Sequence, residues 1–376
     1  MNFKLLRLPI VAVLICSCSN KYDVINLSDD NIIQMDVEEI CTDIQIIPIK
    51  SSSPMKGIET CLHFGEYDFL LSSDKRTLYW VKDDSVISQL DKGGRGRGEY
   101  LEINAFAYSP VDSLLYVANP NGLNIYKGLN YELKYVLGNV PSINTLRVLE
   151  NNILLAGCYV ADNDMNERNG LFIIDVKNGV VSDPLISMNS LSKLFHNETV
   201  YYQTGDSLYI SVGDRAINSI YLYCKGELTQ KLQYMYSKKL QIPKRVMVKN
   251  PDNISDQIIF NDYLRSNDFC VGGFLPIVRN QGDCYMFWNA PKSDDFILNI
   301  IEQDQIKRIR IGIPGLEGLL APNWVSNDSY VSIYQNWFHG TKEENYSNGF
   351  SELSEKLLSL SINNDDNPVL IKYRIK

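Results

Sequence analysis

The chain has 376 residues, a formal charge of −9, 45% hydrophobic residues and 23 tyrosines. That acidic balance deepens by two units once residues 1–17, with Lys4 and Arg7, are set aside, and it argues against nucleic-acid partners, which demand a basic face. The apolar content suffices for a large core, and Tyr, Val and Ile favour strands.

The chain opens MNFKLLRLPIVAVLICSCSN. Lys4 and Arg7 precede an apolar run from Leu8 to Ile15, shorter than the ~20 residues a membrane helix needs and suited to a secretory signal. The run ends in Ile15-Cys16-Ser17-Cys18, which resembles a bacterial lipobox: a small residue, then the cysteine that is lipidated. Cys18 is the predicted lipidation site and residues 1–17 the signal peptide; Cys16 is the weaker candidate because large Ile15 precedes it. Ser19 in the next position resembles lipoproteins sent to the outer membrane. The expected address is therefore that membrane, reached through lipid alone, on its periplasmic or its surface side. Residues 18–42 read as tether and lead-in, and 43–376 as the folded body.

From residue 43 a unit recurs. The strand DIQIIPIK (43–50) stands alone; then ETCLHF, DFLLSS, TLYWVKDD and SVISQL follow one another between polar turns. The same four-strand series returns with INAFAY, SLLYVA, GLNIYKGLN and YELKYVL, and again with INTLRVL, NILLAG, GLFIIDVKNG and VVSDPLI. Two further series start at ETVYYQ and at CVGGFLPIV, and a sixth holds LLAPNWV, SYVSI and NPVLIKYRIK before the chain stops. The sixth lacks one strand, and residues 43–50 are its natural donor, because pairing the N-terminal strand into the last unit closes a ring and removes its open edges. The predicted fold is all-β: a six-bladed β-propeller closed by an N-terminal strand. Two stretches break the rhythm as short, partly helical insertions. One is 237–268, with SDQIIFNDYLRS; the other is 336–366, where Leu353, Leu357 and Leu360 fall at helical spacing.

The run LDKGGRGRGEYLEINAFAYSPVDSLLYVANPNGLNIYKG and the ending DDNPVLIKYRIK resemble the six-bladed β-propeller lipoproteins of Bacteroidetes, a family of NHL-like propellers. Arg97 stands where that family usually has proline before Gly-Glu-Tyr. The resemblance implies the fold and the envelope location, and no settled activity.

The glycine-rich stretch Gly94-Arg95-Gly96-Arg97-Gly98 is no P-loop, since Gly98 is followed by Glu99-Tyr100 rather than Lys-Ser/Thr, and it leads into a strand rather than a helix. It reads as a blade junction whose glycines take φ values other residues avoid. Asp162, Asp164 and Asn166 are weak calcium candidates: Glu167 holds the place of the loop's glycine and Ile173 that of its last glutamate, so a solvated turn fits better. No metal site is predicted, and calcium stays an optional ion. His63, His196 and His339 fall on separate units without metal spacing, and no nucleophile motif is present. Six cysteines besides Cys16 and Cys18 form no CxxC pair; Cys158, Cys224 and Cys284 sit in apolar strand patterns as buried thiols, with Cys41–Cys61 or Cys270–Cys284 bridges left open.

In a four-stranded antiparallel blade, connections from strand two to three share a face with those from strand four to the next blade. Loop 91–100, loop 161–169 and both inserts therefore gather at one mouth, and long loops on a rigid scaffold are where function concentrates. The nominated ligand-binding residues are Arg95, Arg97, Glu99, Tyr100, His196, Trp337 and His339, with Arg147 and Trp324 on innermost strands reaching the channel. No catalytic residue is assigned. The favoured function is a non-catalytic binding or scaffold module for an envelope glycan, peptide or protein. The alternative is a hydrolase or lyase using channel carboxylates, with or without calcium.

Overall fold

The computed structural model describes residues 23–27, 32–128, 130–137, 143–150, 152–158, 170–187, 199–204, 207–214, 217–236, 255, 274–279, 284–292, 295–302, 305–311, 324–326, 329–334 and 367–376. Apart from Ser255, the inserts 237–268 and 336–366 lie outside these residues, and so do the helices expected in them.

The chain enters through β1 (Asp23–Leu27), β2 (Ile32–Met35), the single turn α1 (Val37–Ile40) and β3 (Cys41–Pro48). Blade one then holds β4 (Ile58–Phe64), β5 (Tyr67–Ser72), β6 (Thr77–Lys82) and β7 (Ser85–Asp91). Blade two holds β8 (Ala105–Ser109), β9 (Leu114–Asn119), β10 (Gly122–Lys127) and β11 (Glu132–Leu137). Blade three holds β12 (Ile143–Glu150), β13 (Ile153–Cys158) and β14 (Gly170–Asp175), with its outer strand split into β15 (Val180–Val181) and β16 (Ile186–Ser187). Pro184 lies in the split, where it has no amide hydrogen to offer the ladder. Blade four holds β17 (Thr199–Thr204), β18 (Ser207–Asp214), β19 (Ile217–Cys224) and β20 (Glu227–Tyr236). Blade five holds β21 (Phe274–Arg279), β22 (Cys284–Lys292), β23 (Asp295–Glu302) and β24 (Gln305–Ile311). Blade six holds β25 (Trp324–Ser326), β26 (Ser329–Tyr334) and β27 (Val369–Ile375), with β3 as its outer strand. The first strands β8, β12, β17, β21, β25 and β4 approach one another in that order around an axial channel. This is a six-bladed β-propeller.

The N-terminal strand closes the ring as expected. β3 runs antiparallel to β27, with Gln45 opposite Lys372, Ile46 opposite Ile371 and Ile47 opposite Leu370. The lead-in adds something the sequence did not signal. β1 pairs in parallel with β20 on the outer edge of blade four, and β2 pairs in parallel with β24 on that of blade five. Beyond β3, Lys50 bridges to Ser85 on the outer edge of blade one. Residues 23–50 thus gird four successive blades and cover strand edges that would otherwise offer unpaired amides.

The burial pattern explains the strand sequences. Middle strands have a neighbouring blade on both faces, so YDFLLS and TLYWVK are buried almost throughout. The outer strand β3 has one wet face, and exposed Asp43 and Gln45 alternate with half-buried Ile44 and Ile46. Large rings fill the gaps between blades. Trp80 of blade one lies 4.9 Å from Phe69 and 4.8 Å from Tyr108 of blade two, and Tyr234 of blade four stacks on Phe287 of blade five at 4.3 Å. Each such pair adds about 1 kcal/mol beyond its buried area. Cys41, Cys61 and Cys284 are buried, unbridged thiols, and Cys224 is a half-buried one. Burial pushes the Cys41 thiol up to about 12, so it stays protonated and inert.

Candidate functional site

The antiparallel blades divide the connections cleanly. Those from first to second strand and from third to fourth strand have two to four residues and lie at one face. The opposite face receives the strand ends flanking 92–104, 159–169, 188–198, 237–273, 312–323 and 335–368. Every long connection therefore starts and ends there, as the alternation of strand directions requires. His196, Trp337 and His339 belong to these connections and lie outside the described residues, as do Asp162, Asp164, Asn166 and Cys18.

The glycine-rich stretch is described in full and is a blade junction. Gly93 and Tyr100 form a parallel bridge, with Tyr100 N–H donating to Lys92 O at 3.1 Å and Gly94 N–H to Tyr100 O at 3.0 Å. Glu99 folds back and its Oε2 accepts the Gly96 N–H at 2.6 Å; a Cβ on Gly94 would stand 2.0 Å from that oxygen. Gly98 has φ +76, and a Cβ there would lie 2.6 Å from Leu133 Cδ2, so both the backbone and the space call for glycine. Tyr126 Oη donates to the Gly98 carbonyl at 2.6 Å and ties the junction to blade two.

These contacts separate the nominated residues. Tyr100 is 0% exposed, and its hydroxyl donates to Arg76 O at 3.0 Å; burial pushes its phenol beyond the usual tyrosine range. It is a core residue of the junction and offers a ligand no surface. Trp324 is 2% exposed, packed with Ile58, Cys61 and Leu70 between blades six and one, so it too belongs to the core. Glu99 caps the loop's own Gly96 amide. Arg95, Arg97 and Glu99 are exposed charges of the junction at the long-connection face, and of these only Glu99 is turned back onto the loop.

Arg147 does reach the channel, but near the other mouth. It projects from β12 and donates through Nη2 to Gln203 Oε1 at 2.8 Å, while its guanidinium carbon lies 5.2 Å from the Phe64 ring centre. Phe64 ends the first strand of blade one, and Gln203 lies one residue from the end of that of blade four, both beside short turns. A side chain of blade three that meets both adjacent blade four and more distant blade one lies in the axial channel. Two residues back, Thr145 Oγ1 and Tyr201 Oη are 3.1 Å apart, so β12 and β17 share two polar rungs. The channel walls strip water from Arg147 and push its pKa down to about 10, which leaves it charged at neutral pH. Gln203, Thr145, Tyr201 and Phe64 carry no motif in the sequence; only the spacing of Thr145 with Arg147 and of Tyr201 with Gln203 marks each pair as sharing a strand face.

A second polar cluster sits in the closing seam. Asp68 Oδ1 is 2.9 Å from His63 Nδ1, and Asp68 Oδ2 accepts from Lys372 Nζ at 3.1 Å. Asp68 is buried and joins β4, β5 and β27 across the junction of blades one and six. Among the described residues no group of three His, Cys, Asp or Glu is placed to hold a metal ion.

The fold and these sites define a propeller with a loop-bearing face and an arginine, Arg147, in its channel. No family model matches the chain, and no curated protein does. Among solved structures it is similar to a Bacteroides fragilis protein whose given name places it among exported proteins, with TM-score 0.70 and 14% identity over 94% of this chain and 99% of that one. It is also similar to a DUF4221-family member from Bacteroides vulgatus, with TM-score 0.57 and 11% identity over 90% of this chain and 98% of that one. At these identities the likeness shows the fold.

Proposed function

We propose that the protein is a cell-envelope lipoprotein of the NHL-like Bacteroidetes kind, held at the outer membrane through Cys18. Its propeller acts as a binding or scaffold module for a glycan, peptide or protein partner. The observation that carries this reading is the asymmetry of the ring: all long connections belong to one face, and the other has turns of two to four residues. Arg95 and Arg97 supply exposed charge on the working face, and His196, Trp337 and His339 are its remaining nominees. The name of the Bacteroides fragilis neighbour agrees with an exported location. Cell fractionation with mass spectrometry of the N-terminus tests the anchor: a diacylglyceryl group on Cys18 is expected, and Cys18→Ser should move the protein out of the membrane fraction. A soluble native form with another N-terminus would defeat it. Glycan and peptide arrays probed with residues 19–376 test the binding role.

The anchor would also orient the ring. β1 runs in the same direction as β20, which starts at the short-turn face, and Asp23 pairs opposite Leu232, five residues after the first residue of β20. The five steps from Cys18 to Asp23 span at most about 17 Å, enough to return to the level of that face. The membrane then lies on the short-turn side and the working face points away. A fluorophore at Lys225, in a short turn of blade four, should be quenched by headgroup quenchers in vesicle-bound protein, and one at Arg95 should not. The reverse pattern would sink the orientation.

A further inference from the structure

We propose that Arg147 and Gln203 form a binding site for a small monocarboxylate in the axial channel, reached from the short-turn mouth. The site lies at the opposite end of the channel from the long connections, so it stands or falls independently of the function proposed above.

Arg147 is a cation on an innermost strand, and among the described residues no carboxylate lies within ion-pair distance of it. Its neighbours are the neutral amide of Gln203 at 2.8 Å and the ring of Phe64, with the hydroxyls of Thr145 and Tyr201 one rung away. A guanidinium held between an amide and an aromatic ring keeps a fixed plane while most of its N–H donors stay unused by the described residues. A planar carboxylate matches such a fork through two parallel hydrogen bonds. The placement is notable in a chain of net charge −9, where an unpaired cation withdrawn from bulk water is costly unless something of opposite sign comes to it.

Two features restrict the ligand. One guanidinium balances one negative charge, so a doubly charged phosphate would carry an unbalanced charge into a partly dry channel. The reach of Arg147 from blade three to Phe64 of blade one also shows how narrow the passage is at this level, so it fits an end group or a small molecule rather than a folded partner. Gln203 is exposed and one residue from the end of its strand pairing, which leaves the short-turn mouth as the entry path.

The test is calorimetric titration of residues 19–376 with acetate and with glucuronate at constant ionic strength, with glucose and inorganic phosphate as the other arms. Both carboxylates should bind saturably, and glucose should not; phosphate should bind more weakly than either. Arg147→Gln should weaken carboxylate binding roughly ten-fold or more, the scale of losing a bidentate charged pair. Should that variant fail to fold, Arg147→Lys keeps the charge without the planar fork and should lose several-fold in affinity. Absence of carboxylate binding to the wild-type protein, unchanged affinity in a folded Arg147 variant, or phosphate binding more tightly than carboxylate would each overturn the proposal.

Discussion

At the scale of single residues, Asp68 is the most consequential charge in the described core. Burial opposes its ionisation, yet the His63 hydrogen bond and the Lys372 ammonium more than offset that, and the carboxyl lies below its ordinary range. Lys372 comes from β27, so this one carboxylate links blade one to the blade that the N-terminus completes. Removing one partner of a buried pair strands the others without their counter-charge. Asp68→Ala should therefore cost about 3–5 kcal/mol in urea denaturation. The pH dependence has a definite sign. A carboxylate whose folded pKa is depressed stabilises fully above its unfolded value of about 3.9 and loses that contribution as pH falls through the folded value. The stability gap between wild type and Asp68→Asn should narrow below about pH 4; a gap as large at pH 3 as at pH 7 would contradict this. None of the three residues stands out in the sequence. His63 and Asp68 are five apart across a hairpin, but Lys372 lies 304 residues away from Asp68, and only the closed ring brings it there.

Among the elements, the N-terminal segment has two separable roles. β3 completes blade six, while β1 and β2 cover the outer edges of blades four and five. Deleting residues 19–50 should open the ring and lower the melting temperature far more than deleting 19–35, which leaves β3 in place. The shorter deletion bares the outer edges of β20 and β24 and should promote self-association on size-exclusion chromatography. Equal melting of the full-length protein and the 19–50 deletion would rule out closure by β3. The role of β3 was legible because five four-strand series and one three-strand series leave a single place to fill. β1 and β2 were not: DVINL and IIQM are short, and parallel pairing to strands some 200 residues onward or more leaves no local signature. The buried pairs FLLS and LYWV announced their strands through continuous apolar runs, since both faces meet a neighbouring blade.

For the whole molecule, alternating strand directions sort the connections by length, and that sorting follows from the strand list alone. The sequence therefore located the loop-bearing face, but not which of the nominated side chains reach solvent. Tyr100 read as a ligand contact from its place in the junction loop and Trp324 from its place on an innermost strand, yet the space between blades takes both up; Arg95 and Arg97 extend outward while Glu99 closes the glycine turn. A propeller that works through this face should lose its ligand when those two arginines are removed, without losing stability. The decisive measurement is the affinity of residues 19–376 for the strongest glycan- or peptide-array hit, compared between wild type, Arg95→Ala/Arg97→Ala, and Lys225→Ala on the short-turn face. Binding should be weakened roughly ten-fold or more by the double arginine change, as expected for loss of charge-assisted contacts, with an unchanged melting temperature and full binding by Lys225→Ala. Full binding by the double variant, together with loss in Lys225→Ala, would place the working surface on the other face and contradict it.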